Sequence, residues 1–195
     1  MRVGVIAFQG AVSEHLAMVD AVLGSGSAIA VRKAEQLDDV SAAIIPGGES
    51  TTIGRLMRNS GVFERLRQLG EEGFPIWGTC AGMIMLAKEG DEQVKKTGEL
   101  LRLMDMKVRR NAFGRQRESF EEELEVKGIG KFHCVFIRAP AVERVHGRCK
   151  AIAHLGKYIV AAEQDNLLAT SFHPELTKDL RLHRYFLEKA RGICF

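Results

Sequence analysis

The sequence contains no C-x-x-C pair and no compact His/Cys cluster; its four cysteines, Cys80, Cys134, Cys149 and Cys194, are scattered singly. A disulfide framework and a structural zinc site are both excluded on that ground. Long hydrophobic runs are missing as well. Nothing approaches the roughly 18 consecutive apolar residues of a membrane span, and the apolar stretch at residues 3–8 is too short for a signal peptide. Charge of one sign is scarce, since 28 basic and 25 acidic residues leave only +3. That balance excludes an acidic disordered tail protein and gives no support to nucleic-acid binding. The basic run Lys107-Val108-Arg109-Arg110 is short and has no stacking series of aromatics beside it. Neither a Ser/Pro-rich linker, an internal repeat nor a low-complexity tract divides the 195 residues, so one domain spanning 1–195 is expected. The expected location is the cytoplasm, where thiols stay reduced. No metal and no cofactor are expected.

What is present is a strand–helix alternation. Residues 3–8 form a continuous apolar run, the pattern of a strand buried on both faces. Ser13 can cap a helix carrying Leu16, Val19 and Leu23, which Gly24 and Gly26 end. Strands are expected at 28–31, 42–45 and 74–78, with helices at 51–58, 62–71 and 81–87. This order predicts a parallel sheet covered on both faces. The second half changes character. Phe120, Glu122, Leu124 and Val126 alternate with period two, and further strands are expected at 132–137, 150–154, 158–163 and 167–172 as antiparallel additions to the sheet. A last helix is expected at 179–191, and the charged stretch 88–97 reads as an exposed loop or helix end.

The sharpest motif is Gly78-Thr79-Cys80-Ala81-Gly82, between a buried strand and an apolar helix. This is the context of a nucleophile elbow with cysteine as nucleophile. The small neighbours allow the strained backbone such a turn requires. A helix N-terminus favours thiolate, and the Ala81 N–H points where an oxyanion would form. A packing cysteine beside a tight glycine turn accounts for the same residues.

A thiol nucleophile needs a base with an orienting partner. His173 ends an apolar strand and is followed by Pro174 and Glu175. In extended chain, positions two apart share a side, so Glu175 can accept the His173 Nδ1–H. Pro174 restricts His173 to extended backbone. A third segment, Pro46-Gly47-Gly48-Glu49-Ser50-Thr51-Thr52, also lies where a strand meets a helix. Its glycines let backbone N–H groups approach a ligand or oxyanion. A plain turn with a helix cap explains it equally, and the Walker phosphate-loop spacing is absent.

Taken together, Gly-Thr-Cys-Ala-Gly, Pro-Gly-Gly-Glu-Ser and His-Pro-Glu resemble the class I (triad) glutamine amidotransferases. Within that class the chain is similar to the glutaminase subunits of pyridoxal 5′-phosphate synthase. The finer match rests on Phe8-Gln9-Gly10-Ala11-Val12-Ser13-Glu14-His15, on Arg110-Asn111-Ala112-Phe113-Gly114-Arg115-Gln116 and on Phe136-Ile137-Arg138-Ala139-Pro140. The resemblance implies a three-layer, flavodoxin-like α/β fold: a mostly parallel sheet with helices on both faces and antiparallel additions. It implies Cys80 as nucleophile, His173 as base and then acid, and Glu175 as orienting partner. Gly47, Gly48 and Glu49 would line the glutamine site, with the Gly48 and Ala81 N–H groups as oxyanion hole. Arg110, Ile137 and Arg138 would contact substrate, and Gln9, Gly10, Glu14 and His15 would meet a synthase partner.

By the same resemblance, L-glutamine is hydrolysed to glutamate and ammonia through a γ-glutamyl thioester. The ammonia goes to a barrel-type synthase subunit in a large hetero-oligomer. Three other readings share much of this pattern. They are the glutaminase subunit of another amidotransferase, a cysteine peptidase of related fold, and a non-catalytic regulatory subunit. One departure stands out: Arg102 occupies a position where the family usually has glycine. Cys134 and Cys149 are expected to be packing residues.

Overall fold

The computed structural model describes residues 1–97, 99–114 and 118–192; Arg115, Gln116 and Cys194 lie outside them. Strand β1 (Val3–Ile6) leads through α1 (Val12–Leu23) to β2 (Ala28–Val31), and a 3-10 turn (Ala34–Asp39) leads on to β3 (Ala42–Ile45). Helices α2 (Ser50–Asn59) and α3 (Val62–Glu71) precede β4 (Ile76–Thr79), which runs into α4 (Ala81–Leu86). Short elements follow: β5 (Ala87–Gly90), α5 (Glu92–Thr97) and β6 (Met104–Arg109). The hairpin partners β7 (Ser119–Val126) and β8 (Gly130–Ile137) come next, then β9 (Ala141–Val145), β10 (Lys150–Leu155), β11 (Tyr158–Gln164) and β12 (Leu167–Thr170). A 3-10 turn (Pro174–Leu176) and α6 (Arg181–Ala190) complete the order.

The central sheet has strand order β2-β1-β3-β4-β12-β11-β9-β6-β5, with β10 added alongside β11. From β2 through β12 every pairing is parallel. Beyond β12 the β11, β9 and β6 pairings are antiparallel, and β5 returns to parallel beside β6. Successive strand residues point to opposite faces, and the parallel strands are apolar on both. Val3, Val5, Ala42, Ile44 and Trp77 enter one core with α1 and α6. Ile6, Ala43, Ile45 and Ile76 enter the other with α2, α3 and α4. The result is three layers, the α/β arrangement expected, with a mostly parallel sheet and antiparallel additions.

The differences from expectation have local causes. Ser13 does not cap α1: the helix begins at Val12, no side chain caps it, and the Ser13 hydroxyl donates to Glu14 Oε2 at 2.9 Å. The charged stretch 88–97 holds β5 and α5 rather than a loop. The polar residues Lys88 and Glu89 conceal a strand whose ends, Ala87 and Gly90, are buried. Strands β6 and β9 were not foreseen. The alternating strand at 119–126 pairs only with β8, in a two-stranded ribbon separate from the central sheet. That ribbon packs Phe132 and Phe136 against Phe172, with ring centroids 6.0 and 5.7 Å apart. No helix among the described residues is long and apolar enough to cross a membrane.

Candidate active site

In open parallel sheets, ligands bind beyond the carboxyl ends of the strands, at the point where strand order reverses. Here that point lies between β1 and β3. The segments leaving β1, β3, β4 and β12 all emerge at this edge, and they carry Gln9-Gly10, Gly47-Gly48-Glu49, Cys80 and His173 respectively. A cavity of about 500 Å³ opens there, lined among others by Gly48, Cys80, Ala81, Arg110, Ile137 and His173.

Cys80 occupies the junction of β4 and α4 with φ 49° and ψ −101°, strained backbone for a residue with a side chain. Its N–H donates to the Thr170 carbonyl at 2.7 Å, tying the turn to β12. Flanking glycines make the turn possible. A Cβ at Gly78 would run into the backbone of Gly82 and Met83, and one at Gly82 into the Ile45 carbonyl. Ala81 is the first residue of α4, so its N–H has no intrahelical acceptor, and the residue lines the cavity. Across from it, a Cβ at Gly47 would collide with the His173 ring and crowd Cys80 Cβ at 3.3 Å. Glycine is required there by contact rather than by torsion angle.

His173 is 7% exposed, and its Nδ1 lies 2.7 Å from Glu175 Oε1, itself 4% exposed. The contact does not arise from extended chain as expected. Residues Pro174–Leu176 form a 3-10 turn, which folds Glu175 back toward the imidazole. The His173 N–H donates to Val135 of β8 at 2.8 Å, so the ribbon fixes this turn. Burial works against a charge on His173, yet hydrogen bonds to Cys80 and Glu175, and the negative charges of both, lift it to about 10. At neutral pH it is an imidazolium held between a sulfur and a carboxylate.

The third sequence segment has two uses at once. Glu49 caps α2, accepting from the Thr51 and Thr52 N–H groups at 3.1 and 2.7 Å. Burial opposes its charge, but these two amides and hydroxyls hold it as a carboxylate, down to about 2. Arg110 reaches it across the cavity, Nη2 to Oε1 at 3.1 Å, and is itself anchored by its backbone N–H on Asp91 Oδ2 at 2.9 Å. Gly48 lies beside Gln9, whose Oε1 accepts the Glu49 N–H at 3.2 Å. Ile137 turns its carbonyl toward Cys80 Sγ at 4.0 Å and is 39% exposed as a residue. Arg138, with φ 45°, lines the cavity rim with a side chain 73% exposed.

Of the residues assigned to a partner surface, Gln9, Gly10 and Glu14 are exposed. His15 is not. It is fully buried beneath the site, so it offers no surface to a partner, and its ring contacts Thr79 and His183 instead. Sequence reasoning missed Asn111, which lines the cavity in left-handed backbone with φ 45°. It also missed Leu176, 45% exposed at the cavity rim. Both lie inside stretches that carry the family resemblance, Asn111 in 110–116 and Leu176 in 171–176, and could have been found. Cys134 and Cys149 are buried free thiols, each pushed up to about 12, chiefly by burial.

The chain matches the SNO glutamine amidotransferase family over residues 5–191. It is 51% identical to the pyridoxal 5′-phosphate synthase subunit PdxT of Methanosarcina barkeri, over 97% of this chain and 98% of that one. The subunit of the same name from Methanopyrus kandleri is 53% identical, over 97% and 100% of the two chains. A solved glutamine amidotransferase crystal structure superposes with a TM-score of 0.91 at 49% identity, covering 98% of this chain and 100% of that one. By sequence and by fold, the chain belongs to the SNO glutamine amidotransferase family.

Proposed function

We propose that this chain, as one glutaminase domain over residues 1–195, hydrolyses L-glutamine to L-glutamate and ammonia. The observation that carries the reading is the Cys80–His173–Glu175 array at the strand edge, facing the Gly47-Gly48 loop inside one cavity. Cys80, whose proton already rests on His173 as the imidazolium, attacks the side-chain amide carbon as thiolate. The oxyanion that forms accepts from the Ala81 and Gly48 N–H groups. His173, held as imidazolium by Glu175, protonates the departing ammonia and leaves a γ-glutamyl thioester. Water then enters, His173 takes its proton, and glutamate leaves with Cys80 restored.

Substrate recognition follows from charge. Glutamine carries an α-carboxylate and an α-ammonium, and the cavity offers the Arg110 guanidinium beside the Glu49 carboxylate. Ile137 and Arg138 close the far wall. The names of the relatives place such subunits in a pyridoxal 5′-phosphate synthase. We therefore assign the ammonia to a separate barrel-type synthase subunit in a hetero-oligomer. The exposed Gln9, Gly10 and Glu14 rim faces that subunit. A reducing cytoplasm suits a chemistry that depends on a free thiol. The test is glutamate release from L-glutamine by the chain together with its synthase subunit. Glutamine-dependent pyridoxal phosphate formation and alkylation of Cys80 by a glutamine analogue accompany it. A complex that hydrolyses no glutamine overturns the reading.

A further inference from the structure

Behind Glu175 lies a buried cluster that the reaction above does not use. His15 on α1, His183 on α6, and Thr79 and Trp77 on β4 meet there, none more than 0% exposed. His15 Nδ1 is 3.1 Å from His183 Nε2, and its Nε2 is 3.2 Å from Thr79 Oγ1 and 3.4 Å from Glu175 Oε2. Glu175 commits Oε1 to His173. Its Oε2 and His183 Nδ1 are the two buried side-chain polar atoms, among the described residues, without a full hydrogen bond.

Those two atoms fix where the protons sit. If His15 carried its proton on Nδ1, its bare Nε2 would turn a lone pair toward a buried carboxylate oxygen. His183 would then hold an N–H on Nδ1 with nothing to accept it, which costs the full desolvation of a donor. With the protons on Nε2 of both rings, each conflict disappears. His183 Nε2–H donates to His15 Nδ1, and His15 Nε2–H is shared between Thr79 Oγ1 and Glu175 Oε2. The orphan on His183 is then a bare acceptor facing no opposing charge. Trp77 holds both rings edge-on, with centroids 5.6 Å from His15 and 4.8 Å from His183. Burial keeps both imidazoles neutral, His183 down to about 3 and His15 well below its usual value, the latter helped by the positive charge of His173. A neutral donor can orient the Glu175 carboxylate without cancelling the charge that His173 needs.

We propose that His15, locked in its Nε2–H tautomer by His183, is a positioning residue: it fixes the second oxygen of Glu175 and so aims the first at His173. This rests on the glutaminase reading of the Cys80, His173 and Glu175 array. The test compares the wild-type complex with its His15→Leu and His15→Gln variants, the amide of glutamine supplying an N–H donor at the same site. Leucine should lower kcat by about 10- to 100-fold with KM within a few-fold, as second-layer partners do, and glutamine should recover most of that loss. In the chain itself, the downfield His173 Nδ1–H proton resonance should move upfield with leucine and return with glutamine. Should His15→Leu not fold, His15→Gln and His183→Phe carry the same two readouts. In that case glutamine must keep the wild-type resonance and phenylalanine must lose it. Unchanged kcat and resonance in His15→Leu overturn the proposal, as does a glutamine variant no better than leucine at matched thermal stability. A wild-type complex that releases no glutamate overturns the glutaminase reading instead, and the resonance still decides the positioning role.

Discussion

The parallel and antiparallel parts of the sheet contribute different kinds of residue to the same cavity. From the parallel strands come Gly47, Cys80 and His173, all closely packed; Cys80 and His173 are 8% and 7% exposed. From the antiparallel side come Arg110 after β6 and, from the separate β7–β8 ribbon, Ile137 at the end of β8 and Arg138 just beyond it, with Arg138 reaching 73% side-chain exposure. Parallel strands buried on both faces can hold strained turns such as that at Cys80, because layers on either side resist relaxation. The antiparallel strands have wetter faces, and their ends present charge that can meet a zwitterion. Bond-making is assigned to one part and recognition to the other, and the two can be separated by kinetics.

The largest effect should come from the elbow. Cys80→Ala in the complex should lower kcat on the order of ten-thousandfold or more, with the fold and partner binding retained. The same variant removes the hydrogen-bonding and charge contributions of Cys80 that keep His173 protonated, leaving burial less opposed. His173 is raised above its usual 6.5, so the stability its charge contributes is fully present below about 6.5 and is lost as pH rises through about 10. An NMR titration of His173 should therefore be flat from neutral pH to 9 in the wild type and move to lower pH in Cys80→Ala. An unchanged titration would mean that the sulfur does not hold the proton.

Gly47→Ala should rank next. Its methyl would meet the His173 ring, and a displacement of about 1 Å at a reacting group costs roughly a hundredfold in rate. The loss should fall on kcat, with folding retained, in steady-state assays of the complex. If only KM changed, the assignment of this loop to the chemical step would fail.

Arg110→Ala probes the other side of the comparison. On the proposed reading it deletes a charged hydrogen bond to substrate, on the order of 1.5–3 kcal/mol, or about 10- to 100-fold. That loss should appear in KM for glutamine while kcat stays within a few-fold. A collapse of kcat at constant KM would erase the distinction between the two parts of the sheet.

The same contrast explains what could be read in the sequence. Strands β1 to β3 are short apolar runs and β4 opens on one, Ile76-Trp77, while the elbow is five consecutive residues, so both are local signals. Strand β6 alternates Met104, Met106 and Val108 inward with polar residues between them, a pattern that a charged neighbourhood hides. The β7–β8 ribbon showed its alternation, but pairing partners are not encoded in a period of two. His15 and His183 stand 168 positions apart; no spacing rule joins them, and only the packing of α1 against α6 brings them together. The Gly-Gly-Glu segment allowed either a helix cap or a binding loop, and Glu49 serves as the cap while also lining the cavity.

The smallest effect concerns Arg102, which lies in the connection into β6, away from the cavity. Its φ is 61°, a left-handed conformation that costs a side-chain-bearing residue about 1 kcal/mol. The side chain is exposed and makes no use of that strain in the site. Arg102→Gly should relieve it, offset in part by the greater freedom glycine gives the unfolded chain. The net gain should be about 0.5 kcal/mol, visible as a small rise in denaturation midpoint at constant m-value, with glutamine turnover unaltered. A decrease in stability would show that Arg102 makes contacts worth more than the strain.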